Sequence, residues 1–193
     1  MFDLTSATDE LARLVRGVSD DQLSAPTPCP ALTVGEVLGH VHGLSIAFRD
    51  AAAKIDGPTT RTAPTDSTPQ LPADWRAAIP QALTELGAAW RSPEAWTGMT
   101  AAGGSDLPGE ITGAIAANEV TIHAWDLAVA TDQDFHPCPV ALEHSYGFCA
   151  ATPDDQRDGG LFGPVVPVPS DAPLLDRTLG VAGRNPHWTP SGH

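Results

Sequence analysis

Hydrophobic positions recur along this chain mainly at helical spacing. Leu11, Leu14 and Val15 share one face of a segment from Thr5 to Gly17, and Gly17 is a suitable stop. Ser24–Leu32 holds Pro26, Pro28 and Pro30, so it is excluded from helix. Thr33-Val34-Gly35-Glu36 then has the form of a capping box, in which hydroxyl and carboxylate satisfy orphan amides reciprocally. The helix it opens reaches about Lys54, ahead of Gly57-Pro58, with Val34, Val37, Leu38, Val41, Leu44 and Phe48 as its apolar stripe. Residues 57–73 read as a polar, proline-rich connection. A third helix is predicted over Asp74–Trp90, with Pro80 near its second turn expected to delay its start or kink it. Residues 91–109 read as a glycine-rich loop with room for a short hairpin. A fourth helix follows over Glu110–Thr131 and a fifth over Val140–Ala151. From Pro153 the chain is mostly irregular, with one short helix over Ala172–Val181. Phe162, Val165, Val166 and Val168 give this tail something to pack with. No alternating strand pattern stands out. The pattern predicts an all-α, four-helix bundle in a single domain over 1–193: bundle about 1–151, then a long Pro/Gly-rich tail, about 152–193, wrapped around it.

The fourth helix breaks its own pattern. At about 100° per residue, Ile111, Ile115, Ile122 and Val129 fall on one flank of a sector, and Val120 and Leu127 on the other. A simple amphipathic helix would fill that sector with aliphatics. Instead it holds Glu119, His123 and Asp126, and the opposite face is small: Ala114, Ala117, Thr121, Ala124 and Ala128. An unpaired carboxylate in a buried face costs several kcal/mol, so something must compensate. A divalent cation, a buried polar network completed by an arginine from elsewhere, and a solvated seam all fit. Glu119 and His123, at i and i+4, can both reach one ion. Their nitrogen and oxygen donors suit zinc, nickel, manganese or iron, and Asp126 is placed to orient His123. A third ligand would come from the second helix. There His40 and His42 lie on opposite borders of the apolar stripe, and the wheel does not choose between them.

Composition narrows the partners. Among 193 residues, 10 Lys+Arg face 24 Asp+Glu, for a net charge of −14. No basic face for nucleic acid or an anionic membrane can be built from so few cations. The three cysteines, Cys29, Cys138 and Cys149, include no C-x-x-C and make no disulfide framework. The acidic, amphipathic N-terminus is unlike a signal peptide, and no run of 18 apolar residues exists, so a cytoplasmic location is expected.

Several of these segments resemble a known family. Leu38-x-His40-Val41, set just after Thr33-Val34-x-Glu36, resembles the second helix of the DinB-like superfamily. It is most similar to the metal-binding domain of mycothiol-dependent maleylpyruvate isomerases. Glu119 to Ala128 (EVTIHAWDLA) resembles that family's Glu-x-x-x-His-x-x-Asp-Leu helix. Thr27-Pro28-Cys29, Phe162–Val168 and Gly183–Trp188 resemble segments of an uncharacterised actinobacterial metal-binding subgroup. Each motif alone is weak; their order and spacing, over nearly the whole chain, are specific. The resemblance implies a four-helix bundle holding one divalent metal, usually zinc, on His40, Glu119 and His123, so it selects His40 over His42. It also implies a coordination position open to water, the mark of a catalytic site, and mycothiol as cosubstrate. The isomerases carry a second, C-terminal domain. Here the residues after about 153 are too few and too rich in Pro and Gly to supply it. The metal platform carries over; the isomerase reaction does not follow from it.

The expected function is a metal-dependent enzyme that activates a low-molecular-weight, mycothiol-like thiol for S-transfer or isomerisation, with a small electrophile as its other substrate. Glu119 and His123 would serve as ligands, not as general bases. The alternatives are a non-catalytic metal-binding stress or structural protein and a metal-assisted hydrolase. Trp125 is placed at the entrance of the metal cavity, and the alanine face of the fourth helix is a surface through which two copies could pair as a homodimer, the sequence leaving the oligomeric state open. His136, His144 and His187 read as surface or capping residues. Gly103-Gly104-Ser105 lacks the lysine of a phosphate loop.

Overall fold

A computed structural model of the chain describes residues 1–29, 32–63, 70–153, 157 and 162–190. In order the helices are α1 (Thr5–Gly17), α2 (Val34–Ala52), the single turn α3 (Pro58–Arg61) and α4 (Trp75–Ala89). An antiparallel hairpin follows, β1 (Met99–Ala102) with β2 (Ser105–Pro108), pairing Met99 with Pro108 and Ala102 with Ser105. Then come α5 (Gly109–Ala130), α6 (Pro139–Ala151) and α7 (Leu174–Val181).

Local chemistry sets the start of α2, on which part of the site is built. The Glu36 carboxylate accepts from the Thr33 amide at 2.8 Å, and the Thr33 hydroxyl accepts from the Glu36 amide at 3.4 Å. Just upstream, the buried Thr27 hydroxyl donates to the Leu32 carbonyl at 2.7 Å and accepts from the Cys29 amide at 3.2 Å. The Thr-Pro-Cys segment is thus a closed turn that aims α2 into the bundle. Helix α4 corrects one expectation. It starts at Trp75, because amide bonds from Ala77 and Ala78 to the Asp74 carbonyl close its first turn ahead of Pro80. A proline so near the start removes one bond without delaying the helix.

The bundle proper is α1, α2, α4 and α5, with α1 and α2 each packed on both α4 and α5. Leu11, Leu14, Val37, Leu38, Val41, Ile79, Leu83, Leu86, Val120 and Leu127 fill its core with almost no exposure. On the far side of α5, α6 packs against it and α7 packs against α6. This produces a second, smaller core of Ile122, Trp125, Cys149, Phe162, Leu179 and Ala182. The tail therefore covers the bundle, held in part by the Val166 amide donating to the Gly180 carbonyl at 3.0 Å. Val165, expected to pack, remains 43% exposed.

Beyond its exposed first turn, helix α5 is enclosed, and the alanine face is not open for pairing of two copies. Ala117, Ala124 and Ala128 are buried in the bundle core, and Thr121 is 4% exposed. Small side chains here let α1 approach α5 closely within one subunit. The face has no surface left for a second copy. Among the described residues, no helix is long and apolar enough to cross a membrane.

Candidate metal centre

The bundle brings His40 of α2 to Glu119 and His123 of α5. One ligand atom from each lies within 4.8 Å of the others. Both imidazole Nε2 atoms meet the same carboxylate oxygen: Glu119 Oε2 is 3.3 Å from His40 and 3.2 Å from His123. The two rings stand edge to face with centroids 4.8 Å apart. The His40 side chain is 31% exposed, Glu119 12% and His123 8%. The set thus opens to one side only, through His40.

Behind it runs a chain of charge. His123 Nδ1 lies 3.0 Å from Asp126 Oδ2, so the ring proton at Nδ1 is assigned to this bond. Asp126, fully buried, is gripped by Arg184 from the tail, Nε to Oδ1 at 2.9 Å and the terminal nitrogen to Oδ2 at 3.0 Å. The hydrogen bonds of Arg184 go to Asp126, and among the described residues the ion-pair partners of Glu119 are the two imidazoles.

Burial alone would raise the Glu119 carboxyl, but the hydrogen bonds from His123 and His40 outweigh it and hold the group well below the usual carboxylate range. Burial alone would lower His123. Its bonds to Asp126 and then Glu119 win and push it up to about 9. Asp126 likewise resists burial through His123 and Arg184 and stays ionised. Without a metal, this arrangement favours a proton on each His123 nitrogen: one for Asp126, one for Glu119.

His40 and Glu119 also line a cavity of about 530 Å³, within the usual size of small-molecule sites, roughly 300–1,000 Å³. Gly39, Gly43 and Ala47, one turn apart on α2, form a flat strip of its wall, with His42 beyond them. Gly39 is required by the connection that passes over it: a Cβ there would lie 2.9 Å from the Gln70 carbonyl carbon and 3.0 Å from the Leu71 nitrogen. On the opposite side of Glu119, a pocket of about 20 Å³, the size of a water molecule, is roofed by Phe162, Ala182 and Arg184 of the tail.

Of the residues singled out from sequence, His40, Glu119, His123 and Asp126 come together as one constellation. His42 shares the cavity wall without joining the three. Trp125 lies elsewhere: it is 4% exposed, packed in the second core beneath the tail, and not part of the cavity wall. Its position on α5 points it away from α2, toward α6 and α7. Cys149 is held by the Asn118 side-chain carbonyl at 3.0 Å, which also takes the Ser145 hydroxyl at 2.7 Å. Burial pushes its thiol up to about 12, so it is no nucleophile. The sequence reading gave Arg184 no role. The available signal was Asp126 itself, since a buried carboxylate demands a cation.

The model of the mycothiol maleylpyruvate isomerase N-terminal domain matches residues 4–128. The uncharacterized protein Rv0738 of Mycobacterium tuberculosis (strain ATCC 25618 / H37Rv) is 28% identical over 180 residues, which is 92% of this chain and 93% of that protein. The uncharacterized protein MT0763 of strain CDC 1551 / Oshkosh matches to the same extent, 28% over 180 residues. Among solved structures, a mycothiol-dependent maleylpyruvate isomerase superposes with a TM-score of 0.64 at 21% identity, covering 94% of this chain and 87% of that one. A single-substitution variant of such an isomerase gives 0.59 at 19%, covering 80% and 68%. Likeness at this identity establishes a common fold.

Proposed function

The chain belongs to the mycothiol maleylpyruvate isomerase N-terminal domain family, and from that premise we propose that it is a divalent-metal-dependent enzyme acting through a low-molecular-weight thiol of the mycothiol type. His40, Glu119 and His123 hold the ion, and the reaction is S-transfer to, or isomerisation of, a small electrophile in the adjoining cavity. The observation that supports this most is the convergence of three ligand atoms within 4.8 Å at the wall of a cavity of about 530 Å³. Closed structural zinc sites use four protein ligands, whereas three leave a position for an exogenous group. Among the described residues there are three. Two imidazoles and a carboxylate suit zinc first, with nickel, manganese and iron able to use the same donors.

A divalent cation held by His40, Glu119 and His123 would lower the pKa of a thiol bound to it, so that the thiolate would persist at neutral pH. The chain's own groups prepare that position. With an ion bound, Asp126 would keep the His123 proton on Nδ1 and leave Nε2, beside Glu119, as the ligating lone pair. Arg184, bonded to both oxygens of Asp126, fixes the carboxylate that meets His123. Glu119 and His123 are ligands in this reading, and no protein cysteine takes part.

Elemental analysis of the purified protein tests it. One equivalent of metal is expected in the wild type and in His42→Ala, and a stoichiometric loss in His40→Ala, Glu119→Ala and His123→Ala. With cobalt in the site, added mycothiol should alter the visible spectrum. Metal retained by the three alanine variants would refute the site, and a cobalt spectrum indifferent to the thiol would refute its use.

A further inference from the structure

We propose that the cavity beside His40 takes an uncharged, largely apolar ligand and discriminates against carboxylates. In the reading above, on which this rests, that ligand is the electrophile. The evidence is the chemistry of the wall. Leu44, Ile46, Phe48 and Ile115 are among its apolar lining, and His40, His42, Thr59, Thr62, Gln70 and Glu119 are its polar groups. No lysine or arginine is among the described lining residues. Nor does the chain itself hold one anywhere between Arg61 and Arg76.

The cations in the neighbourhood are already engaged. Arg49 is bound to Glu85 at 2.7 Å and Asp50 at 2.8 Å. Arg61 is bound to Asp56 at 2.6 Å and Asp106 at 2.8 Å. Lys54 donates to the Ala95 carbonyl at 2.8 Å, and Arg184 is committed to Asp126. The metal offers no surplus either, since Glu119 and a bound thiolate together neutralise a dication. A carboxylate entering this cavity would lose its water, meet no lysine or arginine and lie beside the Glu119 carboxylate. Maleylpyruvate, the compound in the relatives' names, carries two.

Gly43, with Ala47 one turn further along α2, leaves the wall without a projecting side chain where such a ligand can lie. A Cβ at Gly43 would meet nothing within 4 Å, so the backbone faces open space there. For an aryl halide the transfer balances without a redox partner. The thiolate sulfur forms the C–S bond, halide leaves with the bonding pair, and the thiol proton passes to solvent.

A matched pair of rings tests the inference on the full-length chain, both metal-loaded and chelator-treated, by equilibrium dialysis. 1,3-Dinitrobenzene should bind both forms. 3,5-Dinitrobenzoate, the same ring with one carboxylate, should bind the chelated form at least about ten-fold more weakly. Gly43→Leu, which favours helix and fills the cavity, should abolish binding of the neutral ring while the circular dichroism is unchanged. Benzoate binding as tight as that of the neutral ring in the chelated form, or binding of neither ring, overturns the proposal. A separate arm compares turnover of 1-chloro-2,4-dinitrobenzene and 4-chloro-3,5-dinitrobenzoate with mycothiol. Preference for the neutral chloride supports the proposal, and preference for the anion overturns it. Absence of turnover for both, with the ring preference intact in dialysis, would count against the thiol reading and for the cavity's selectivity.

Discussion

Loading the site requires a proton to leave it. In the metal-free protein the His123 imidazole is held at a pKa of about 9, against an ordinary 6.5, by its bonds to Asp126 and Glu119. A cation needs Nε2 free, so at neutral pH it must displace that proton. Below about pH 9 the apparent affinity therefore falls about ten-fold for each unit of pH, ~1.4 kcal/mol per unit. Between pH 8.5 and 7 the loss is about 25-fold. Titration calorimetry in buffers of different ionisation enthalpy reads the proton directly, and about one should be released per ion across this window. Asp126→Asn removes the largest influence that raises the ring. Its dependence on pH should flatten in the same window, and fewer protons should appear. An affinity that stays level from pH 7 to 8.5, or an Asp126→Asn protein as steep as the wild type, would refute the reasoning. The same linkage fixes a sign for stability. A group raised in the folded state contributes fully below its unfolded pKa and loses that contribution as pH climbs through the folded one. The metal-free protein should thus lose this contribution between about pH 6.5 and 9, visible as a falling urea midpoint.

Two further substitutions probe the scaffold. Arg184→Met leaves Asp126 buried with its cation removed and should cost about 3–5 kcal/mol in urea denaturation, most of it recovered in Arg184→Met/Asp126→Leu; a single variant within ~1 kcal/mol of wild type would show that the pair is not structural. Ala124→Leu should overpack the contact between α1 and α5 and cost about 1–3 kcal/mol without altering the sedimentation coefficient; a dimer that falls apart at unchanged stability would instead mark that face as a surface between copies.

What the chain disclosed in advance follows from how far each physical rule reaches. Caps and periodicity act within a few residues. Thr33 and Glu36 therefore announced α2, and the run from Thr5 to Gly17 gave the observed limits of α1. The intrusion of Glu119, His123 and Asp126 into an apolar sector was legible for the same reason, since one helix carries all three. Their complement was not. Arg184 joins Asp126 across 58 residues of sequence, and no local rule connects them. The alanine face was misread because a wheel records composition and not neighbours. Ala117 and Ala124 look alike whether another copy or α1 lies opposite. Trp125 failed similarly: an aromatic one position from Asp126 and two from His123 still points about 100–200° away from them.

The grip of Arg184 on Asp126 also bears on where this protein can be cut. A fragment trimmed at the close of α6 would keep every bundle helix and all three candidate ligands, yet leave an ionised carboxylate near the C-terminal end of α5 without its arginine. The stretch matched by the family model ends at residue 128, well before the guanidinium that its own Asp126 depends on. Whatever sequence is grafted after that boundary inherits an electrostatic debt, so appendages here are interchangeable only if each brings its own positive charge to the same spot.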